Sequence, residues 1–154
     1  MLQDMSRQRG YHLKFIKSTT MKVAVFVDQE KQLSSKENIR ASCKLNNVIA
    51  FDIFRDGNLI GSAMLREYEE GGYFLWNYAI DATYQNRNLG TTALKELISF
   101  MHLKYGLHTM TTTYIWGNEQ ARHVYEKVGF TETDIIDEPN CHEVNMAYSW
   151  SNPT

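Results

Sequence analysis

The sequence is poor in several features, and each shortage excludes a class of protein. No apolar run approaches the ~18 residues of a membrane-spanning helix, so no membrane partner is expected. Residues Met1 to Gly10 are polar and lack the apolar core of a signal peptide, so a cytoplasmic location is expected. The formal net charge is only -2, and the basic residues are scattered along the chain, so no nucleic-acid partner is expected.

Cysteine and proline are also scarce, with two of each. Cys43 and Cys141 lie far apart and lack a Cys-x-x-Cys spacing, so two free thiols are favoured over a disulfide. The five histidines show no metal-ligand spacing, so no metal is predicted. The chain has 154 residues, of which 43% are hydrophobic. It therefore fits a single soluble domain over 1–154.

The first third of the chain contains one clear strand and one helix start. Residues 11–17 alternate apolar and polar side chains, which predicts a strand. Residues 21–33 fit either a strand or a helix. Ser34, with Glu37 three residues later, forms a capping box and predicts a short helix that reaches Leu45.

The middle of the chain predicts three antiparallel strands. Residues 48–55 and 59–68 are rich in strand formers, and Asp56-Gly57-Asn58 between them is a strong hairpin signal. The turn-forming residues 69–72 separate this hairpin from the third strand, over 73–81.

The pattern then changes to helices alternating with strands. Leu89, Ala93, Leu97 and Met101 recur every four residues and predict an amphipathic helix that ends near Gly106. The later elements are a strand over 108–116, a helix over 119–128 with Gly129 as its C-cap, and strands over 130–137 and 143–150.

The element order is therefore βααβββαβαββ. A helix joins the strands 73–81 and 108–116, so these strands should be parallel neighbours with a right-handed crossover. The predicted fold is of the α+β class, with a mixed, mostly antiparallel sheet.

Two segments carry the functional signal. The turn-forming loop Gln85-Asn86-Arg87-Asn88-Leu89-Gly90 follows an apolar run and opens a helix. The N-terminus of a helix presents unpaired N–H groups and about half a positive charge, which makes an anion pocket. Asn118 begins the next helix, and Tyr125 lies within it. Together the two segments suggest a diphosphate-bearing cofactor beside a proton donor.

Both segments resemble those of the GNAT family of N-acetyltransferases. That family carries a (Gln/Arg)-x-x-Gly-x-(Gly/Ala) loop, followed on the next helix by Asn-x-x-Ala-x-x-x-Tyr-x-x-x-Gly-Phe. The second motif is complete here, at Asn118, Ala121, Tyr125, Gly129 and Phe130. The resemblance implies a sheet that splays between its fourth and fifth strands, with helices on both faces.

The same resemblance implies that acetyl-CoA is the co-substrate. Tyr125 would be the general acid, and Asn118 would hold the pantetheine or cap its own helix. The cofactor would bind through the backbone of Tyr78, Ala79 and Ile80 and through Gln85, Asn86, Arg87, Asn88, Leu89, Gly90 and Thr91.

The loop departs from the family pattern at two positions. Asn88 stands where the family has its first loop glycine, and Asn86 stands where many relatives have another. Asparagine is the non-glycine residue that best tolerates positive φ, so the turn can still form.

The fourth strand also departs from the family pattern. Trp76 and Asn77 stand where some relatives carry a carboxylate base.

The acceptor is less specified than the donor. Residues 73–85 are similar to a branch of the family that includes bacterial polyamine acetyltransferases, which favours a small-molecule primary amine of polyamine type. A protein or peptide amine, an aminoglycoside and a non-catalytic acyl-CoA-binding module are the alternatives. A homodimer is also expected, since relatives are often dimers and the C-terminal segment 146–150 is apolar.

Overall fold

The computed structural model of the chain describes residues 13–18, 47–84 and 88–151. The predicted segment 21–33, the capped helix from Ser34 and the loop residues 85–87 lie outside these ranges. The elements within them are β1 (Leu13–Lys17), β2 (Val48–Arg55), β3 (Asn58–Glu69), β4 (Gly72–Ile80), a 3-10 turn (Ala82–Tyr84), α1 (Leu89–Tyr105), β5 (Thr109–Ile115), α2 (Glu119–Val128), β6 (Thr131–Glu138) and β7 (Cys141–Ser149).

The strands form one sheet in the order β1-β2-β3-β4-β5-β7-β6. Strands β4 and β5 are parallel, and each of the other neighbouring pairs is antiparallel. Helix α1 connects the two parallel strands. The mixed sheet and its crossover are thus confirmed.

The β2–β3 hairpin shows how closely local chemistry sets the register. Arg55 pairs with Asn58, so the loop has two residues, Asp56 and Gly57. Their φ angles are 50° and 83°. A type I′ turn requires positive φ at both central positions, and an Asp-Gly pair meets this requirement. The predicted hairpin is confirmed, with its second strand beginning one residue earlier.

Helix α1 ends where the sequence predicted. Gly106 follows its last residue with φ 74°, and the Gly106 N–H donates to the carbonyl oxygens of Met101 and His102. This left-handed cap satisfies carbonyls that would otherwise lack an intrahelical partner. The buried stripe of α1 faces the sheet and includes Ala93, Leu94, Leu97, Ile98 and Met101.

Helices α1 and α2 pack side by side on one face of the sheet. The ring of Phe100 on α1 meets that of Phe51 on β2 edge-on, with centroids 5.4 Å apart. Helix α2 contacts the same face through Tyr125. The opposite face carries a row of buried polar side chains, Asp52, Ser62 and Asn77.

Candidate active site

Strands β4 and β5 run together for only a short distance. The parallel pairing covers Gly72–Leu75 and Thr109–Thr112, and no further register pair joins the two strands in this fully described stretch. Residues 76–80 of β4 and 113–115 of β5 therefore border an opening, here called the β4–β5 gap. The splay that the family resemblance implied is present.

A β-bulge marks the point of separation. Leu75 pairs with Leu65 of β3, but Asn77 pairs with Met64, so Trp76 is an extra residue on β4. A bulge bends its strand and increases the local twist. The bulge thus coincides with the position where β4 leaves β5, one residue beyond the last parallel pair.

The far end of β4 pairs with β3 but not with β5. Tyr78 and Ala79 pair with Ala63 and Ser62 of β3, while the register pairs between β4 and β5 end at Leu75. A strand that is paired along one side can receive an extended ligand that carries amides along its other side, as an added strand. The sequence predicted backbone contacts with acetyl-CoA for Tyr78, Ala79 and Ile80.

The chain turns from β4 toward α1 through a tight Asx turn. The side chain of Asp81 accepts a hydrogen bond from the backbone N–H of Thr83 at 2.9 Å. The Asp81 carbonyl accepts another from the N–H of Tyr84, also at 2.9 Å. These bonds fix the direction in which the chain enters the loop at 85–87.

Asn88 ends that loop in the left-handed region, with φ 62° and ψ 11°. Its side chain makes no capping bond to α1, so its role here is conformational. The first turn of α1, from Leu89 to Thr91, then presents backbone N–H groups without intrahelical acceptors. The first turn contains no acidic residue, so the positive end of the helix is available to an anion.

Gly90 is not explained by the packing of the protein. A Cβ built there would lie 3.6 Å from a methyl group of Val124 and 3.8 Å from Ile80, which are ordinary van der Waals distances. Gly90 also lacks the positive φ that favours glycine. The packing of the protein would therefore accept a small side chain at this position.

The side chain of Tyr78 ties β4 to this helix start. Its hydroxyl donates to the carbonyl oxygen of Gly90 at 2.6 Å. Burial raises the pKa of Tyr78 well above its ordinary value, and the nearby Tyr125 raises it further. Tyr78 is thus a neutral donor that fixes the first turn of α1 against the end of β4.

Asn118 is the N-cap of α2. Its side-chain oxygen accepts the backbone N–H of Ala121 at 3.2 Å. The capping role considered from the sequence is therefore observed. The cap uses only the Oδ1 atom of the Asn118 side chain.

Tyr125 is buried at the inner end of the gap, with 8% of its surface exposed. Its ring packs against Phe130 at 5.4 Å. Burial raises the pKa of Tyr125, and the neighbouring side-chain hydroxyl of Thr112 partly opposes this rise by hydrogen bonding. At neutral pH the residue is a phenol that can give a proton.

The structure thus brings together three of the predicted groups: the end of β4, the first turn of α1 and Tyr125. Sequence reasoning missed Thr112 and the side-chain role of Tyr78. The sequence does contain a signal for Thr112. Alternate residues of a strand share one face, so Thr112 shares the buried face with Met110 and Tyr114, and it is the polar residue among them.

The described ranges contain no candidate metal centre. No group of three or more histidine, cysteine, aspartate or glutamate side chains there is arranged to hold a metal ion. None of the helices there is both long and apolar enough to cross a membrane.

Comparison with known proteins identifies the class. Residues 17–130 match the model of the acetyltransferase (GNAT) family. The match covers most of the chain, so the protein belongs to the GNAT family and is an acyltransferase. No curated protein matches it in sequence.

Solved structures of several acetyltransferases share this fold. A spermidine N-acetyltransferase mutant from Vibrio cholerae is 19% identical, with 75% of each chain covered and a TM-score of 0.64. The ribosomal-protein-S18-alanine N-acetyltransferase from Escherichia coli is 22% identical, with 88% of this chain and 96% of that chain covered and a TM-score of 0.64. The aminoglycoside enzyme AAC(6')-Ib, in complex with ribostamycin and coenzyme A, is 17% identical over 75% and 74% of the chains, with a TM-score of 0.62.

Proposed function

We propose that this protein transfers an acetyl group from acetyl-CoA to a primary amine of a small molecule, with Tyr125 as the proton donor. One observation carries the proposal. The β4–β5 gap has the positive end of α1 at its outer end and the Tyr125 hydroxyl at its inner end. A long thioester that carries a diphosphate at one end needs a positive site for the diphosphate and, further along, a proton donor for the thiolate.

The donor would be held mainly by backbone groups. The N–H groups of Leu89, Gly90 and Thr91 suit the pyrophosphate, together with the loop residues 85–88. The end of β4, at Tyr78, Ala79 and Ile80, would pair with the two amides of the pantetheine arm. A backbone N–H at the bulge would polarise the thioester carbonyl, as an oxyanion-hole donor does.

The reaction is a direct displacement. The neutral amine attacks the thioester carbonyl, the new C–N bond forms, and the C–S bond breaks. Tyr125 gives its proton to the departing thiolate, and the proton lost from the amine passes to water. Solvent then returns a proton to the Tyr125 phenolate. Trp76 and Asn77 offer no carboxylate at the bulge. The remaining nearby acids are Glu67, Glu69, Glu70 and Asp81, which would receive the proton of the amine through water.

The acceptor is proposed to be a small polyamine-like amine. The similarity of residues 73–85 to the polyamine branch supports this, and a spermidine enzyme is among the structures that share the fold. Aminoglycoside and protein amines are the competing acceptors, and enzymes for both are among the same structures.

A thiol-release assay with acetyl-CoA tests the proposal across polyamines, aminoglycosides, amino acids and peptides. We expect turnover with polyamines to exceed turnover with the other classes. Faster turnover with a peptide or an aminoglycoside would reassign the acceptor. Tight coenzyme A binding without turnover on any amine would instead indicate a binding module.

A homodimer and a cytoplasmic location also stay proposals. Light scattering of the purified protein at several concentrations tests the first, and cell fractionation tests the second. A monomer at all concentrations would contradict the dimer.

A further inference from the structure

Thr112 occupies the last position at which β5 still pairs with β4. Its register partner is Leu75, and the next residue of β4 is the bulged Trp76. Thr112 is buried, with 2% of its surface exposed. A buried hydroxyl at the apex of the β4–β5 gap costs free energy unless it is hydrogen-bonded, so its partners show what it does.

One partner is the backbone of β4. The Thr112 hydroxyl donates to the carbonyl oxygen of Leu75 at 3.1 Å. This side-chain bond supplements the backbone pairing at the point where the two strands separate. Thr112 therefore fixes the position of the apex.

The other neighbour of this hydroxyl is the hydroxyl of Tyr125, on whose pKa Thr112 acts as a hydrogen-bonding side chain. A threonine hydroxyl has a single hydrogen and two acceptor lone pairs. That hydrogen is given to the Leu75 carbonyl while Tyr125 is neutral. Thr112 thus lies between the carbonyl of β4 and the phenol on α2.

We propose that Thr112 is a positioning residue that holds the Tyr125 hydroxyl at the apex of the gap and stabilises its phenolate. This inference rests on the proposed function, in which Tyr125 protonates the leaving thiolate. When the Tyr125 proton moves to sulfur, a new S–H bond forms and the O–H bond breaks. The Thr112 hydrogen can then turn from the Leu75 carbonyl to the phenolate oxygen, where a bond to a charged acceptor is stronger.

A purely structural role for Thr112 predicts a different result. Loss of the hydroxyl would then lower stability and loosen the gap, which raises KM for acetyl-CoA. A positioning role instead lowers kcat and leaves coenzyme A binding nearly unchanged, because the interaction matters after the proton has moved.

The variants Thr112→Val and Thr112→Ala both remove the hydroxyl, and Thr112→Ser keeps it. We expect the first two to lower kcat about tenfold or more, with KM for acetyl-CoA within about twofold. Thr112→Ser should restore kcat to within about threefold of the parent. The use of two hydroxyl-free variants guards against a folding defect in one, which thermal unfolding would reveal.

Thr111→Val is the matched control. Thr111 is the preceding residue of β5 and pairs with Phe74, in the part of β5 that does not border the gap. Successive strand residues point to opposite faces, so Thr111 lies on the face away from Tyr125. This variant should leave kcat unchanged.

The decisive test repeats Thr112→Val in a Tyr125→Phe background. If Thr112 acts through the Tyr125 hydroxyl, its loss there should change kcat less than twofold. The pH profile adds a second readout: loss of a donor to the phenolate should move the alkaline fall in kcat to higher pH. Equal losses in both backgrounds, or an unchanged kcat in the single variants, would overturn the inference. If Tyr125→Phe itself keeps full kcat, the proposed acid is wrong, and the inference fails with it.

Discussion

The Tyr78 hydroxyl and the Gly90 carbonyl lie 2.6 Å apart, so β4 and the first turn of α1 are held as one unit. Tyr78→Phe keeps the ring and removes the bond. We expect the free energy of unfolding to fall by about 1 kcal/mol. Coenzyme A affinity should weaken by about two- to fivefold, because the diphosphate end and the amide end of the site lose a common anchor. Thermal unfolding and calorimetric titration measure the two effects.

Tyr73→Phe is the control for this prediction. It removes a hydroxyl near the opposite end of the same strand, where the tyrosine contacts Glu67. Coenzyme A affinity should not change in that variant. An equal loss of affinity in both would show that the Tyr78 bond has no special role.

The glycines at the two ends of α1, Gly90 in its first turn and the C-cap Gly106, should respond in opposite ways to alanine. Gly90→Ala has room in the protein and favours the helix, so stability should hold or rise by a few tenths to about 1 kcal/mol. The new methyl group should nevertheless weaken coenzyme A binding about tenfold or more, because it occupies the surface that the ligand approaches. Gly90→Val should abolish binding.

Gly106→Ala is the converse case. Its φ of 74° is unfavourable for alanine, so stability should fall by about 1 kcal/mol. Gly106 lies at the other end of α1, so coenzyme A affinity should be unchanged. Full coenzyme A affinity in Gly90→Ala would show that the loop assignment is wrong.

Substitutions of Asn88 measure the free-energy cost of placing a non-glycine residue in the left-handed region. The Asn88 side chain makes no capping bond, so no such bond is lost when it is replaced. Asn88→Gly should raise stability by roughly 0.5 kcal/mol and preserve coenzyme A binding. Asn88→Ala should lower stability by about 1 kcal/mol and weaken binding, since the loop then enters α1 under strain. Equal stability of the three proteins by thermal unfolding would contradict this view.

Tyr125→Phe tests the proton donor directly. The ring contact with Phe130 remains, so the fold and the coenzyme A affinity should be kept. The rate of acetyl transfer should fall well over tenfold. Tyr114→Phe is the matched control, because its hydroxyl bonds Glu132 on the β6 side, at 3.2 Å. A similar fall in both variants would point to a general packing effect.

Stability should decline at alkaline pH because of buried phenols. Burial, together with the charge of Glu67 and a hydrogen bond to it, raises the pKa of Tyr73 to about 12. An unfolded phenol has a pKa near ~10. Between these values the unfolded chain releases a proton that the folded chain keeps, so the free energy of unfolding falls as pH rises.

The thermal midpoint should therefore be flat below pH ~10 and fall above it. Tyr73→Phe should show a smaller fall, since it removes one of the raised groups. The raised pKa values of Tyr78 and Tyr125 act in the same direction. An alkaline fall that is identical in the parent and in Tyr73→Phe would contradict the assignment.

The features that the sequence predicted correctly are those with a local cause. Asp56 and Gly57 both need positive φ for their turn, and Gly106 ends a helix whose apolar period stops there. The parallel β4–β5 pair also followed from local evidence, because a helix separates two strand patterns. None of these conclusions required knowledge of a distant contact.

The site was only partly predictable for the same reason. The bulge at Trp76 was expected only from the family resemblance, because it depends on how β4 aligns with β3 and no residue type within β4 marks it. The bonds of Tyr78 and Thr112 join residues that lie 12 and 37 positions away in the chain. The predicted contacts of Gln85, Asn86 and Arg87 stay predictions.

The β4–β5 pairing has the fewest register pairs in the described sheet. Four pairs join β4 to β5, against five between β1 and β2, eight between β3 and β4 and seven between β5 and β7. Few backbone bonds therefore join the two halves of the sheet along this line. We expect a molecule that binds along β4 and is held also by α2 to join the two halves further, so that its binding raises the force needed to separate them.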